Sequence, residues 1–210
     1  MAGKPVVNVS NDDVLNLFRE TGALLEGHFQ LTSGLHSTQY FQCAKVLQYP
    51  PYAELLCREI AGRFKALPVN TVVAPALGGI VVSQETGRQL AGFRSSQGGD
   101  QIRTMFAERK NNVMQLRRGF MLGPNDHVLV CEDVVTTGGS VNEIIDIARK
   151  AGAEVIGVGC VVDRSGGKVR FGVPEQFAVL HMDSTTYPQS ECPLCKQGLA
   201  IEKPGSRAEK

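Results

Sequence analysis

No stretch of the 210 residues approaches the roughly 18 consecutive apolar positions that a membrane span needs, so no bilayer crossing is expected. A surplus of one charge is also missing. Lys and Arg number 22 against 21 Asp and Glu, a formal net charge of +1. That balance creates no global field to attract nucleic acid or an acidic membrane, so an anionic ligand must be met by charge placed locally. Residues 1–11 lack a basic segment followed by an apolar one, and no secretory signal is expected. The six cysteines do not suggest a disulfide framework. Cys131 and Cys160 lie in apolar strand-like runs and Cys57 in a helical pattern, where a reduced thiol packs as a small hydrophobe. These features together point to a reducing cytoplasm. There is no internal repeat and no low-complexity segment. Nucleoside triphosphates and dinucleotides are poor candidates as ligands, because neither a Gly-x-x-x-x-Gly-Lys-Ser/Thr loop nor a strand-linked Gly-x-Gly-x-x-Gly occurs. Gly157-Val158-Gly159 falls inside a strand-like run and reads as packing.

The hydrophobic content, 42%, is enough for one sizeable core. Asn11 is placed as the N-cap of a first helix carrying Val14, Leu15, Leu17 and Phe18. Residues 24–47 read as irregular and polar. After Pro50-Pro51, the four-residue spacing of Leu56, Ile60 and Phe64 predicts a helix with one apolar face. Strands over 71–74, 104–107, 127–131, 154–162 and 177–181 alternate with helices over 79–91 and 140–151. Short Val-rich runs between amphipathic helices predict an α/β fold with a mainly parallel sheet flanked by helices. The expected division is an N-terminal helix and hood segment (1–48), an α/β core (49–186) and an irregular, frayed tail (187–210).

In such sheets, ligands bind beyond the carboxyl ends of the strands. The loop after Cys131 reads Glu132-Asp133-Val134-Val135-Thr136-Thr137-Gly138-Gly139-Ser140, with a helix opening at Ser140. Two glycines at a strand-to-helix turn let backbone N–H groups converge, and the helix start adds its positive dipole end. Thr136, Thr137 and Ser140 add hydroxyl donors, completing a cradle for one phosphate. Glu132 and Asp133 would repel a phosphate but suit vicinal hydroxyls. The combination reads as a ribose-5-phosphate site. A bare Gly-Gly-Ser would signify only a tight turn and an N-cap; the ordered set of acids, threonines, glycines and serine carries the reading.

Residues 132–140, preceded by Val128-Leu129-Val130-Cys131, resemble the signature with which type I phosphoribosyltransferases bind phosphoribosyl pyrophosphate (PRPP). Residues 27–37, Pro75-Ala76-Leu77-Gly78-Gly79 and Asp163-Arg164-Ser165-Gly166-Gly167 are similar to the bacterial orotate phosphoribosyltransferase family, and Cys192-Pro193-Leu194-Cys195 with residues 203–207 to a subgroup of it. The resemblance implies the type I phosphoribosyltransferase fold with a small N-terminal hood. It also implies transfer of ribose 5-phosphate from PRPP to orotate with Mg2+, in pyrimidine biosynthesis, by a homodimer with shared active sites. By the same resemblance, PRPP would be held by Arg109, Lys110 and the nine residues Glu132, Asp133, Val134, Val135, Thr136, Thr137, Gly138, Gly139 and Ser140. Ala76, Leu77, Gly78 and Gly79 would approach the pyrophosphate, and Thr136, Arg164, Tyr40 and Phe41 would contact orotate. Asp133 and Lys110 would be catalytic, with Arg109-Lys110 reaching the neighbouring subunit's pyrophosphate. The chain departs from the better-known pattern at Thr32 and Gly78, where many members carry lysine. Residues 111–116 also lack the usual Lys, His and Gly-Glu-Gly run of the catalytic loop, with Arg117 and Arg118 as substitute cations.

The transfer needs no covalent nucleophile; it needs donor and acceptor held in line, the leaving group neutralised and water kept away. Residues 111–118 are expected to act as a mobile lid. The four basic residues Arg109, Lys110, Arg117 and Arg118 also read as a solvated face, and Tyr40-Phe41 as core. A purine-type phosphoribosyltransferase and a non-catalytic PRPP-sensing regulator are the alternative functions. Arg164 favours orotate over a neutral purine, and the missing basic recognition helix argues against the regulator. Cys192-x-x-Cys195 has ligand spacing, to which His181 or a partner subunit could add, but one pair falls short of four ligands. It is read as an inert thiol pair. His28, His36 and His127 show no metal spacing, and no protein metal site is assigned.

Overall fold

In the computed structural model, which describes residues 9–31, 34–94, 101–183 and 185–204, the chain opens with α1 (Asn11–Glu20), β1 (Leu24–Gln30) and β2 (His36–Phe41). Then follow α2 (Ala44–Leu47), α3 (Pro50–Phe64), β3 (Thr71–Pro75), α4 (Gly78–Arg94) and the pair β4 (Arg103–Lys110) and β5 (Val113–Leu116). The second half carries β6 (His127–Val135), α5 (Gly139–Lys150), β7 (Glu154–Asp163), β8 (Glu175–His181), β9 (Thr186–Tyr187) and α6 (Pro193–Lys196).

Six strands form one sheet in the order β5-β4-β3-β6-β7-β8, parallel throughout except for the antiparallel β4–β5 pair. The expected mainly parallel α/β architecture is therefore present. Its reason is visible in β3, whose five positions are all buried, as a strand covered on both faces requires. In β6 the side chains alternate. Leu129 and Cys131 join the core beneath α3 and α4, whereas Val128 and Val130 join Ile144, Ile145 and Ala148 of α5 on the other face. The predicted stripe of α3 is fully buried at Leu56, Ile60 and Phe64. Gly157 and Gly159 accommodate it. A Cβ on Gly157 would overlap the Phe64 ring and lie 2.6 Å from the Glu175 carbonyl, and one on Gly159 would lie 2.5 Å from Ile60 Cγ2. The triplet is packing, as its strand setting suggested.

Several expectations are corrected. The first helix is capped by Ser10, whose hydroxyl and backbone share a capping box with Asp13, so Asn11 is its first helical residue. Residues 24–47 are not irregular: β1 and β2 pair antiparallel, with a register shift between Glu26 and Phe29 that interrupts the alternation a regular strand would show. The described part of the tail, residues 185–204, packs on the N-terminal strands. Thr186 and Tyr187 pair with Ser37 and His36, and Glu202 exchanges backbone hydrogen bonds with His28 and Gln30, so the tail belongs to the N-terminal sheet. Residues 111–118 are not a long loop. Asn111 and Asn112, both at positive φ (52° and 64°), form a two-residue turn between Lys110 and Val113, and β5 then pairs back along β4. Thr32, Ser33 and residues 205–207 lie outside the described residues. Among the described residues, no helix is long and apolar enough to cross a membrane.

Candidate active site

Strands β3, β6 and β7 run parallel, so the segments following Pro75, Val135 and Asp163 emerge at one edge of the sheet. A cavity of about 440 Å³ opens there. It brings together Tyr40, Phe41, Arg109, Asp133, Val134, Thr136, Thr137, Gly139, Ser140 and Arg164, all singled out from sequence, and adds Leu31. A smaller cavity of about 200 Å³ shares Leu31, Thr136, Thr137 and Arg164 with it.

The loop is shorter than its sequence suggested, because β6 continues to Val135. Strand pairing with β7 carries Val134 opposite Val162 and Val135 opposite Asp163. Val135 is consequently buried in the core and does not line the cavity. Gly138 is the N-cap of α5 at φ 75°, and a Cβ there would lie 2.6 Å from Phe171 and 2.8 Å from Val169. Both the left-handed backbone and the close approach call for glycine. With no capping side chain, the first N–H groups of α5 are left for an anion beside the Thr136, Thr137 and Ser140 hydroxyls.

The two acids part company. Asp133 lines the cavity, with Oδ1 accepting from the Val134 N–H at 2.9 Å. A Cβ on Gly78 would overlap its Oδ2, so the glycine at the start of α4 makes room for this carboxylate. Glu132 is buried against Gly79, and burial, reinforced by the neighbouring Asp133 charge, pushes its carboxyl well above the usual range. Of the loop before α4, Leu77 is exposed and the Ala76–Leu77 peptide is cis.

The raised pKa of Glu132 has a testable sign. An acid whose folded-state pKa exceeds its unfolded value, about 4.3, contributes its full stability below that value. The contribution is lost as pH rises through the folded pKa. Glu132→Gln removes the titration while keeping the shape. Thermal unfolding should show the variant more stable than the parent at alkaline pH, with the gain shrinking on acidification. A constant difference across pH would contradict the assignment.

Arg164 is buried at the wall. Its Nη2 donates to the Gln39 carbonyl at 3.0 Å and the Ser37 hydroxyl at 3.2 Å, and its guanidinium carbon lies 5.8 Å from the centre of the Phe41 ring. Burial lowers its pKa from the ordinary value, although an arginine retains its charge in such settings. The segment that carries it is organised by Asp163, a residue sequence reasoning missed as a functional element. One Asp163 oxygen accepts from the Ser165 N–H and hydroxyl at 2.8 and 2.6 Å; the other accepts from the Gly167 N–H at 3.0 Å. The available signal was an Asp at a strand end followed by Ser-Gly-Gly. Tyr40 sits between opposite influences. Burial raises its pKa, Arg164 lowers it and Asp133 raises it.

The basic residues divide between the cleft and the surface. Arg109 lines this chain's own cavity, held by Glu143 of α5 at 2.6 and 3.0 Å and donating to the Asn112 carbonyl at 2.9 Å. Lys110, beside the turn, is exposed and does not line the cavity. Arg117 and Arg118 both pair with Glu108, and Arg118 stacks over Phe106. They are therefore engaged at the base of the hairpin. His28 and His36, read from the sequence as having no ligand role, stand together in the fold. Both meet Cys192 and Cys195, with all four potential ligand atoms within 4.8 Å of one another. The partners lie 8 and 164 positions apart, so no local spacing could reveal the set.

A family model, the phosphoribosyl transferase domain, matches residues 54–171. An orotate phosphoribosyltransferase of Chlorobium phaeobacteroides is 56% identical over 195 residues, 93% of this chain and 95% of that protein. One from Thermotoga maritima is 48% identical over 197 residues, 94% of this chain and all of that protein. Among solved structures, the orotate phosphoribosyltransferase of Mycobacterium tuberculosis superposes with a TM-score of 0.62 at 20% identity, covering 81% of this chain and 95% of that one. An adenine phosphoribosyltransferase of Trypanosoma brucei shares the fold at a TM-score of 0.56 and 14% identity, over 80% of this chain and 79% of that one. Because the family model spans more than half of the chain and relatives about half identical match nearly all of it, the chain belongs to the orotate phosphoribosyltransferase family.

Proposed function

We propose that the chain transfers the ribose 5-phosphate group of PRPP to orotate, giving orotidine 5′-monophosphate and pyrophosphate. The observation that carries this reading is the meeting, in one cavity, of a phosphate cradle and a buried arginine, with the Asp133 carboxylate also on its wall. In this reading the α5 start and the hydroxyls of Thr136, Thr137 and Ser140 bind the 5′-phosphate, fixing the ribose. Asp133, with Glu132 behind it, accepts from the ribose hydroxyls and stabilises the positive charge that builds on the ring as pyrophosphate leaves. Arg164 and Thr136 orient the base, and Tyr40 and Phe41 cover it and exclude water. The turn 76–79 offers backbone N–H groups to the pyrophosphate. Magnesium suits this oxygen-rich donor set, which offers a carboxylate beside substrate phosphates; Asp133 would hold it, and the ion would neutralise leaving-group charge. The unpaired state of all six cysteines fits a reducing cytoplasm.

The test is turnover with PRPP and a panel of orotate, uracil, adenine and hypoxanthine. Orotate should be the accepted base. Preferred use of adenine or hypoxanthine would make this a purine enzyme, and no turnover with any base would reject the reading.

The chain is further proposed to act as a homodimer in which Lys110 serves the neighbouring site. Its exposure beside the hairpin turn supports this, while Arg109 serves its own cavity. Mixing inactive Lys110→Ala with inactive Asp133→Asn should restore partial activity, since one site of each hybrid is intact. Verified subunit exchange without recovery would reject sharing.

A further inference from the structure

We propose that His28, His36, Cys192 and Cys195 form a structural zinc site that fastens the C-terminal segment to the N-terminal sheet. The proposal is independent of the phosphoribosyl chemistry, since none of the four lines the cleft.

The four side chains come from three separate places. His28 is on β1 and His36 on β2, while Cys192 caps α6 and Cys195 lies within it, so the two thiols stand about one helical turn apart. His28, His36 and Cys192 are buried and Cys195 partly so. His28 Nε2 lies 3.0 Å from His36 Nδ1, 3.5 Å from Cys192 Sγ and 3.6 Å from Cys195 Sγ, and Cys195 Sγ lies 3.3 Å from His36 Nδ1. Zinc bonds of about 2.0–2.1 Å to nitrogen and 2.3 Å to sulfur, at tetrahedral angles, put two nitrogens roughly 3.3 Å apart and a nitrogen and sulfur roughly 3.5 Å apart. The four separations lie within a few tenths of an ångström of these values, and all four atoms lie within 4.8 Å of one another.

Proton accounting points the same way. The Leu199 carbonyl, 2.9 Å from His28 Nδ1, can only accept, so Nδ1 carries the proton and Nε2 directs its lone pair at the other three atoms. A carbonyl behind a ligating imidazole is the usual outer partner of a metal-bound histidine. Here that carbonyl also comes from the C-terminal segment. Without an ion, His36 Nδ1 can donate to the His28 Nε2 lone pair at 3.0 Å, but the two thiols are left with only weak sulfur–nitrogen contacts. A divalent ion satisfies all four at once, and a closed two-Cys, two-His shell with no open position suits structural zinc.

The placement gives the site a purpose. The C-terminal segment otherwise reaches the sheet through the short β2–β9 pairing and the Glu202 hydrogen bonds. Strand β2 runs from His36 through Ser37 and Gln39, which hold Arg164, to Tyr40 and Phe41 in the cleft. Zinc would anchor that strand from its outer end.

Metal analysis of the full chain, produced without a histidine tag, tests this. About one zinc per chain should co-purify, and metal-stripped protein should take up zinc to the same ratio. Cobalt added to stripped protein should give the intense visible bands of a tetrahedral site with thiolate ligands. Removing zinc should lower the unfolding temperature by on the order of 10 °C, restored on adding it back. Cys192→Ser with Cys195→Ser should abolish stoichiometric uptake. Should that variant fail to fold, titration of the parent protein decides alone. Absence of stoichiometric uptake by stripped parent protein, an octahedral cobalt spectrum, undiminished binding by the double variant, or a Cys192–Cys195 disulfide in protein isolated under reducing conditions would each overturn the proposal.

Discussion

Asp133→Asn is expected to cut turnover with PRPP by roughly a hundred- to a thousandfold while leaving the fold intact. The carboxylate stands where β6 reaches the cleft, and its charge is the feature a cationic ribose ring would use. The substitution keeps the shape. An amide oxygen can still accept from the Val134 N–H, and the space left by Gly78 still holds the group. Removing the charge also relieves Glu132, whose carboxyl is disfavoured in its ionised form by burial first and by Asp133 second. The unfolding temperature should therefore stay level or rise while kcat at saturating PRPP and orotate collapses. If kcat remained within tenfold of the parent, the electrostatic role would have to pass to another group. If stability fell together with activity, the loss could not be assigned to the charge.

The parallel core was legible because its strands are buried on both faces, which writes them as continuous apolar runs such as residues 71–75 and 127–131. The glycine turn proposed as the phosphate cradle was legible because it is local. Cradle and helix start are contiguous in sequence, and the Gly138 conformation that the turn needs admits few other residues. The N-terminal sheet was not legible. Burial along β1 and β2 does not alternate, a register shift interrupts their pairing, and their third strand comes from residues 186–187. The hairpin at Asn111-Asn112 carried a readable sign, since consecutive Asn residues tolerate positive φ, but a family pattern of a longer loop obscured it. Asp163 carried a local sign, an Asp at a strand end before Ser-Gly-Gly, whereas the two-His, two-Cys cluster joins residues remote in sequence, which no spacing rule records. Arg164 fell between these cases: its place after a strand end was readable, but its grip on β2 was not.

That grip shapes the result expected for the choice of base. Arg164→Ala should raise the Michaelis constant for orotate by roughly ten- to a hundredfold, the equivalent of losing a charge-assisted hydrogen bond worth about 1.5–3 kcal/mol. The guanidinium is buried over Phe41 and shared with Ser37 and Gln39, so it is held in one orientation before any ligand arrives, and little entropy is lost when it meets the oxygens of orotate. The Michaelis constant for PRPP should change little, because the cradle is built by residues 136–140 and the start of α5. Loosening of β2 is a second route to the same loss, and Arg164→Lys separates the two. Lysine restores the charge but not the fork, so it should recover part of the orotate affinity if charge recognition dominates, and almost none if the bonds to β2 dominate. A parallel rise in both Michaelis constants would move Arg164 to the donor side of the cleft. No change in either, with a purine as the better acceptor, would leave a phosphoribosyltransferase whose base is not orotate.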